Sequence, residues 1–96
     1  MEKTAFVLLK KDEDGMITTL LIASDLPVPA EGMNKVKKVL KEASGFKFII
    51  NDDYLLMNNT KKELKEEFEN FVNLVSGGIE AEYYGDTYYW EELSAV

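Results

Sequence analysis

Apolar and polar positions follow two different periods along this chain. Thr4 to Lys11 (TAFVLLKK) and Met16 to Ser24 (MITTLLIAS) are β-rich and apolar nearly throughout, with turn chemistry between them at Asp12-Glu13-Asp14-Gly15. The two runs predict a β-hairpin, and apolar residues on both of its faces predict a place in the middle of a sheet. Asp25 to Pro29 reads as a loop, because Pro27 and Pro29 cannot join a hydrogen-bonded ladder. From Ala30 to Ser44 the spacing becomes helical, with Met33, Val36, Val39, Leu40 and Ala43 in one stripe and Gly45 as the stop. Phe46 to Ile50 (FKFII) and Tyr54 to Met57 (YLLM), joined by Asn51-Asp52-Asp53, read as two further strands. Thr60 and Glu63 form a capping box that opens a second helix. Its stripe is Leu64, Phe68, Phe71, Val72 and Val75, and Gly77-Gly78 ends it.

The last segment, Ile79 to Glu92 (IEAEYYGDTYYWEE), reads as a hairpin turning at Gly85-Asp86. That turn would set Tyr83 opposite Tyr88, Ala81 opposite Trp90, Glu82 opposite Tyr89 and Glu80 opposite Glu91. Alternation then gives a core face of Ile79, Ala81, Tyr83, Tyr88 and Trp90, with Trp90 buried. The other face holds Glu80, Glu82, Tyr84, Tyr89 and Glu91, with Tyr89 exposed. Here Glu80 against Glu91 is a destabilising like-charge pair. The order is therefore ββα-ββα-ββ. It predicts an α+β fold, a mostly antiparallel sheet with two helices on one face, in a single domain spanning residues 1–96.

Charge sharpens the picture. The chain has 11 Lys, 18 acidic residues and a net charge of −7. Eight of the acids (Glu66, Glu67, Glu69, Glu80, Glu82, Asp86, Glu91 and Glu92) lie beyond residue 65, where no Lys occurs. The remaining ten acids and all 11 Lys precede them, so the two parts carry −8 and +1. Direct nucleic-acid binding is not expected, since a basic footprint normally supplies most of that affinity. A basic protein partner is the natural counterpart, and a homo-oligomer is left open. The opening MEKTAFVLLKKDEDG lacks the apolar core of a signal peptide, and no apolar run approaches the ~20 residues of a membrane span. A soluble cytoplasmic protein without membrane contact is the expectation.

The residue types that are missing limit the chemistry. There is no His, Cys, Arg or Gln. The usual general base near neutral pH is missing, as are the common ligands of zinc, copper and haem. No cofactor or metal is expected. Asp12 to Gly15 is similar to part of an EF-hand loop. In that register, however, Lys10 and Leu21 would occupy ligand positions, and neither coordinates Ca²⁺.

The opening strand–acidic turn–strand and the run Lys62-Glu63-Leu64-Lys65-Glu66-Glu67 resemble the Nudix hydrolases. That resemblance implies metal-binding glutamates at this box. Lys62 stands where the family has Arg, Glu69 where it has Gly, and Tyr54 where it has an upstream Glu. Glu82-Tyr83-Tyr84-Gly85 is similar to a short stretch of barstar-type ribonuclease inhibitors, over four residues only.

No catalytic constellation emerges, and the sequence does not identify a role. The reading favoured is a non-enzymatic, acidic protein-binding module, of the inhibitor or immunity type found among phage and mobile-element proteins. It would engage a basic, nucleic-acid-binding partner through Glu80, Glu82, Tyr84, Asp86, Tyr89 and Glu91. The alternative is a carboxylate–metal enzyme of unrecognised type.

Overall fold

The computed structural model describes residues 3–95. Strands β1 (Lys3–Lys11) and β2 (Ile17–Ala23) form the first hairpin. Asp12 shapes its turn: the Asp14 and Met16 N–H groups donate to its carboxylate at 3.0 and 2.9 Å. Helix α1 (Ala30–Ser44) follows, then two single-turn helices, α2 (Phe46–Ile49) and α3 (Asp53–Leu56), and the long helix α4 (Lys61–Ser76). Strands β3 (Ala81–Tyr83) and β4 (Asp86–Ala95) end the described chain. The four strands form one antiparallel sheet in the order β2-β1-β4-β3. The fold is α+β.

The middle pair of strands predicted from FKFII and YLLM is instead helical. In FKFII the buried or half-buried positions are Phe46, Ile49 and Ile50, spaced i, i+3, i+4, while Lys47 and Phe48 face out. Phe46 and Phe48 do not share a face, as strand alternation required. Phe46 lies against Phe68 of α4, with ring centroids 4.4 Å apart. Asn51-Asp52-Asp53 is turn chemistry of another kind: Asp52 caps α3 by accepting from the Leu55 N–H at 3.1 Å. The element order is thus ββ-αααα-ββ rather than ββα-ββα-ββ.

Sheet position also differs from expectation. β1 lies inside the sheet, paired with β4 from Lys3↔Ala95 to Lys11↔Thr87, but β2 is an edge strand. Both long helices pack on the sheet face that carries Leu8, Ala81, Tyr83 and Tyr88. There Val36 and Leu40 of α1 meet Phe68, Phe71, Val72 and Val75 of α4 in one core. α1 lies over β2 and α4 over β3. The molecule is only 17 Å across its shortest dimension, which matches one sheet and one helical layer. Val7 and Leu9, on the opposite face, are buried by their position in the interior strand between β2 and β4.

The two ends of α4 are closed as the sequence indicates. At the start, Thr60 Oγ1 accepts from the Glu63 N–H (3.1 Å), and the Glu63 carboxylate accepts from the Thr60 N–H (3.2 Å). At the end, Gly78 takes φ 87°, its N–H donates to the Val75 carbonyl, and the Ile79 N–H donates to the Leu74 carbonyl. This pair of hydrogen bonds is a Schellman motif. It draws Ile79 out of the predicted strand: the side chain is 53% exposed and is not part of the core. Trp90 is half-buried against the core rather than fully buried. Its indole N–H donates to the Val75 carbonyl at 2.8 Å, tying β4 to the last turn of α4.

Candidate functional site

The last hairpin turns one residue earlier than its sequence suggested. Tyr84 (φ 49°) and Gly85 (φ 87°) form a two-residue connection, closed by Tyr83↔Asp86 and followed by Glu82↔Thr87 and Ala81↔Tyr88. Two positive φ values in sequence suit the right-handed twist of a tight hairpin. A Cβ on Gly85 would collide with the Glu13 carboxylate, which reaches across from the first hairpin's turn. Tyr84 occupies a left-handed conformation that costs a non-glycine residue about 1–2 kcal/mol. Its ring packs edge-on against Tyr83, with centroids 4.7 Å apart.

The ladder has moved by two residues, an even number, so side chains keep their faces while changing partners. Tyr83 opposes Asp86 rather than Tyr88, and Ala81 opposes Tyr88 rather than Trp90. Glu80 precedes β3, and Glu91 lies opposite Val7 of β1. The predicted Glu80–Glu91 like-charge pair therefore does not form.

The six residues singled out from the sequence fall in three places. Glu82 and Tyr84 sit at the sheet edge that borders α4, Glu82 alternating with core-facing Ala81 and Tyr83 so that it leaves the strand on the helix-free side, and the exposed Glu80 lies just before them. Tyr89 and Glu91 share the helix-free face, opposite Leu9 and Val7; Tyr89 is half-buried there rather than exposed. Asp86 is engaged by Lys10, whose Nζ lies 3.5 Å from Asp86 and also donates to the Ala43 carbonyl at 2.7 Å. It is a structural partner of Lys10.

Where Glu82 and Tyr84 meet α4, a groove of about 380 Å³ opens. Its floor is Phe71, Leu74 and Ala81, and its rim is Glu67, Glu82 and Tyr84, with no basic side chain among the residues that line it. Phe71 is held rigidly: its ring stacks on Tyr83 at 4.4 Å and 5° and meets Tyr88 edge-on at 4.9 Å. The Tyr84 hydroxyl is pushed up from its ordinary value, first by burial and then by the Glu67 carboxylate beside it. The hydroxyls of Tyr83 and Tyr88 are also raised, chiefly by burial, and neither has a hydrogen-bond partner.

Glu67 belongs to the Nudix-like box, which gives it no link to the hairpin. The signal was nonetheless present, because α4 carries lysines in its first turns and glutamates after them, against the helix dipole. Glu69 pairs with Lys37 of α1, and Glu67 faces Tyr84. Neighbouring elements account for this order better than the dipole does. Glu63, also in the box, is held by the Thr60 cap. Lys37, Lys41 and Lys65 gather on the far flank, around Phe46 between α1 and α4. The two flanks of α4 thus differ in charge. Among the described residues, no three carboxylates converge in a way that could hold a metal ion. No helix among them is long and apolar enough to cross a membrane. Comparison with protein-family models, curated proteins and solved structures found no match.

Proposed function

We propose that this chain is an acidic protein-binding module of the inhibitor or immunity type, and that it receives a basic side chain of its partner in the α4–β3 groove. The carrying observation is the groove's composition: an apolar, aromatic floor under two carboxylates and a tyrosine, with no cation to neutralise them. A lysine or arginine side chain has the matching anatomy, an apolar stem and a charged end. Its stem would lie on Phe71 and Leu74, its charge would meet Glu67, with Glu82 adding negative charge at the strand edge, and the Tyr84 ring would offer a cation–π face. The acidic surroundings would speed encounter with a basic protein.

Affinity capture from the source cell, read by mass spectrometry, tests this. Glu67→Lys with Glu82→Lys should lose the basic partners of the wild type. Tyr84→Asn, which places a residue suited to the left-handed turn, should melt no lower than wild type. It should still weaken binding more than tenfold, as loss of an interface anchor does. Tyr89→Ala and Glu91→Lys, on β4 and outside the groove, should keep the partners. Equal recovery by all of these variants would refute the reading.

A further inference from the structure

α1 and α4 leave an opening between them, a pocket of about 190 Å³ lined by Lys37, Lys41, Phe46, Lys65, Phe68 and Glu69. It lies on the flank of α4 away from the α4–β3 groove, and its charge is the opposite, three lysines against one carboxylate. These lysines are poorly compensated. Glu69 stands one turn beyond Lys65, where an i,i+4 pair is available, but its carboxylate is engaged by Lys37 of α1. Among the described residues, neither Lys41 nor Lys65 has a carboxylate in ion-pair range. Each is also one turn from another lysine of its own helix, Lys41 from Lys37 and Lys65 from Lys61, a spacing that costs stability. A chain with 18 acidic residues and 11 lysines has carboxylates enough for every lysine, yet a single one lines this pocket. The floor is firm: Phe46 and Phe68 are buried and in ring contact, and Lys41 Nζ sits 5.6 Å from the Phe46 centroid, a cation–π contact that draws the ammonium in over the floor.

We infer that this pocket binds a phosphomonoester through its dianionic phosphate. Charge selects the ligand. Three ammonium groups less one carboxylate leave +2, which a phosphomonoester balances near neutral pH, whereas a carboxylate or a phosphodiester brings a single negative charge. Donor type agrees with charge. Lysine ammoniums act as point charges on a phosphate, and the chain has no arginine to grip a planar carboxylate with two parallel bonds. Size agrees as well, since the pocket has room for one phosphate group and the carbons next to it rather than for a folded segment. Those carbons meet the phenyl rings while the oxygens meet the lysines. A small phosphorylated molecule and a phosphorylated side chain of a partner present the same group. The site does not depend on the acidic groove, because its lining residues are all different.

NMR titration of the intact protein tests the inference, with inorganic phosphate as the probe and chloride at equal ionic strength as the reference. The amides of Lys41, Phe46 and Lys65 should shift along one saturable curve. Dimethyl phosphate, with its single charge, should bind at least about tenfold more weakly. Lys41→Gln with Lys65→Gln should raise the phosphate Kd at least about tenfold. Lys35→Gln with Lys38→Gln, an equal loss of charge outside the pocket, should change it less than about threefold. Glu69→Gln should act in the other direction and tighten phosphate about threefold or more, because it removes the pocket's carboxylate. Glu66→Gln, which lines neither the pocket nor the groove, should do less. Glycerol phosphate and a phosphoserine peptide then separate the sources: tighter binding of the peptide assigns a phosphorylated partner, and equal or weaker binding assigns a small molecule. Shifts that grow linearly with phosphate, or that chloride reproduces, would show an adventitious ion only and overturn the inference. So would a Kd unmoved by the paired lysine changes. Should that double variant fail to fold, Glu69→Gln decides alone, and unchanged or weaker binding there would refute the site.

Discussion

Tyr83 and Tyr88 are the side chains through which the aromatic core responds to pH. Both are buried beside Phe71, and neither hydroxyl has a hydrogen-bond partner. Burial disfavours the phenolate, so each hydroxyl titrates above its ordinary value in the fold, while the unfolded chain ionises near 10. The stability they contribute is therefore complete below pH ~10 and is lost as pH rises beyond it. The slope can reach about 1.4 kcal/mol per pH unit for each tyrosine. Denaturant melts between pH 8 and 12 should show this loss, and Tyr83→Phe and Tyr88→Phe should each flatten it. At neutral pH either change should be neutral or stabilising by up to about 1 kcal/mol, since it removes a hydroxyl with no partner. If both variants are destabilised at neutral pH, the hydroxyls have partners after all.

At the scale of the element, α2 shows how short apolar runs mislead. FKFII alternates like a strand over its first three residues, but Phe46, Ile49 and Ile50 also fit one helical face. Periodicity cannot separate the two in five residues, and the deciding contact, Phe46 on Phe68, spans 22 positions of chain. The long helices were legible because each repeats its stripe over several turns before a glycine stop. A paired substitution checks the helical assignment. Phe46→Ala should cost about 3–5 kcal/mol as a core truncation. Phe48→Ala, at a position 76% exposed, should stay within about 0.5 kcal/mol of wild type. Comparable losses at both would restore the strand, in which the two rings share a face. The last hairpin was partly legible for a similar reason. Its face assignment survived a two-residue slip because alternation depends only on parity, while its partners depended on whether Gly85 was the first or second residue of the turn.

At the scale of the molecule, the long-range arrangement was not written in any local pattern. Nothing in residues 3–11 indicates that they pair with the chain's last described strand. That pairing moves β2 to the edge and carries the acidic hairpin to the other side of the sheet. The charge order of α4 hints that Glu67 serves a neighbour but not which one, since Glu67 and Tyr84 meet only when α4 lies over β3. The same assembly also assigns many carboxylates to tasks other than metal binding. Glu63 holds the Thr60 cap, Glu69 pairs with Lys37, Asp86 with Lys10, and Glu67 lies against Tyr84. The binding-module reading and the carboxylate–metal reading then differ in a simple measurement. A metal site stabilises the fold by mass action, about 2.7 kcal/mol at a hundredfold excess over Kd. For a domain of this size that corresponds to a rise in Tm of roughly 10 °C or more. Millimolar Mg²⁺ or Mn²⁺, compared with a monovalent salt at equal ionic strength to remove general screening of the net charge, should instead shift Tm by no more than about 1 °C. A divalent-specific rise of several degrees, abolished by Glu66→Gln or Glu67→Gln, would replace the binding module with a carboxylate–metal enzyme.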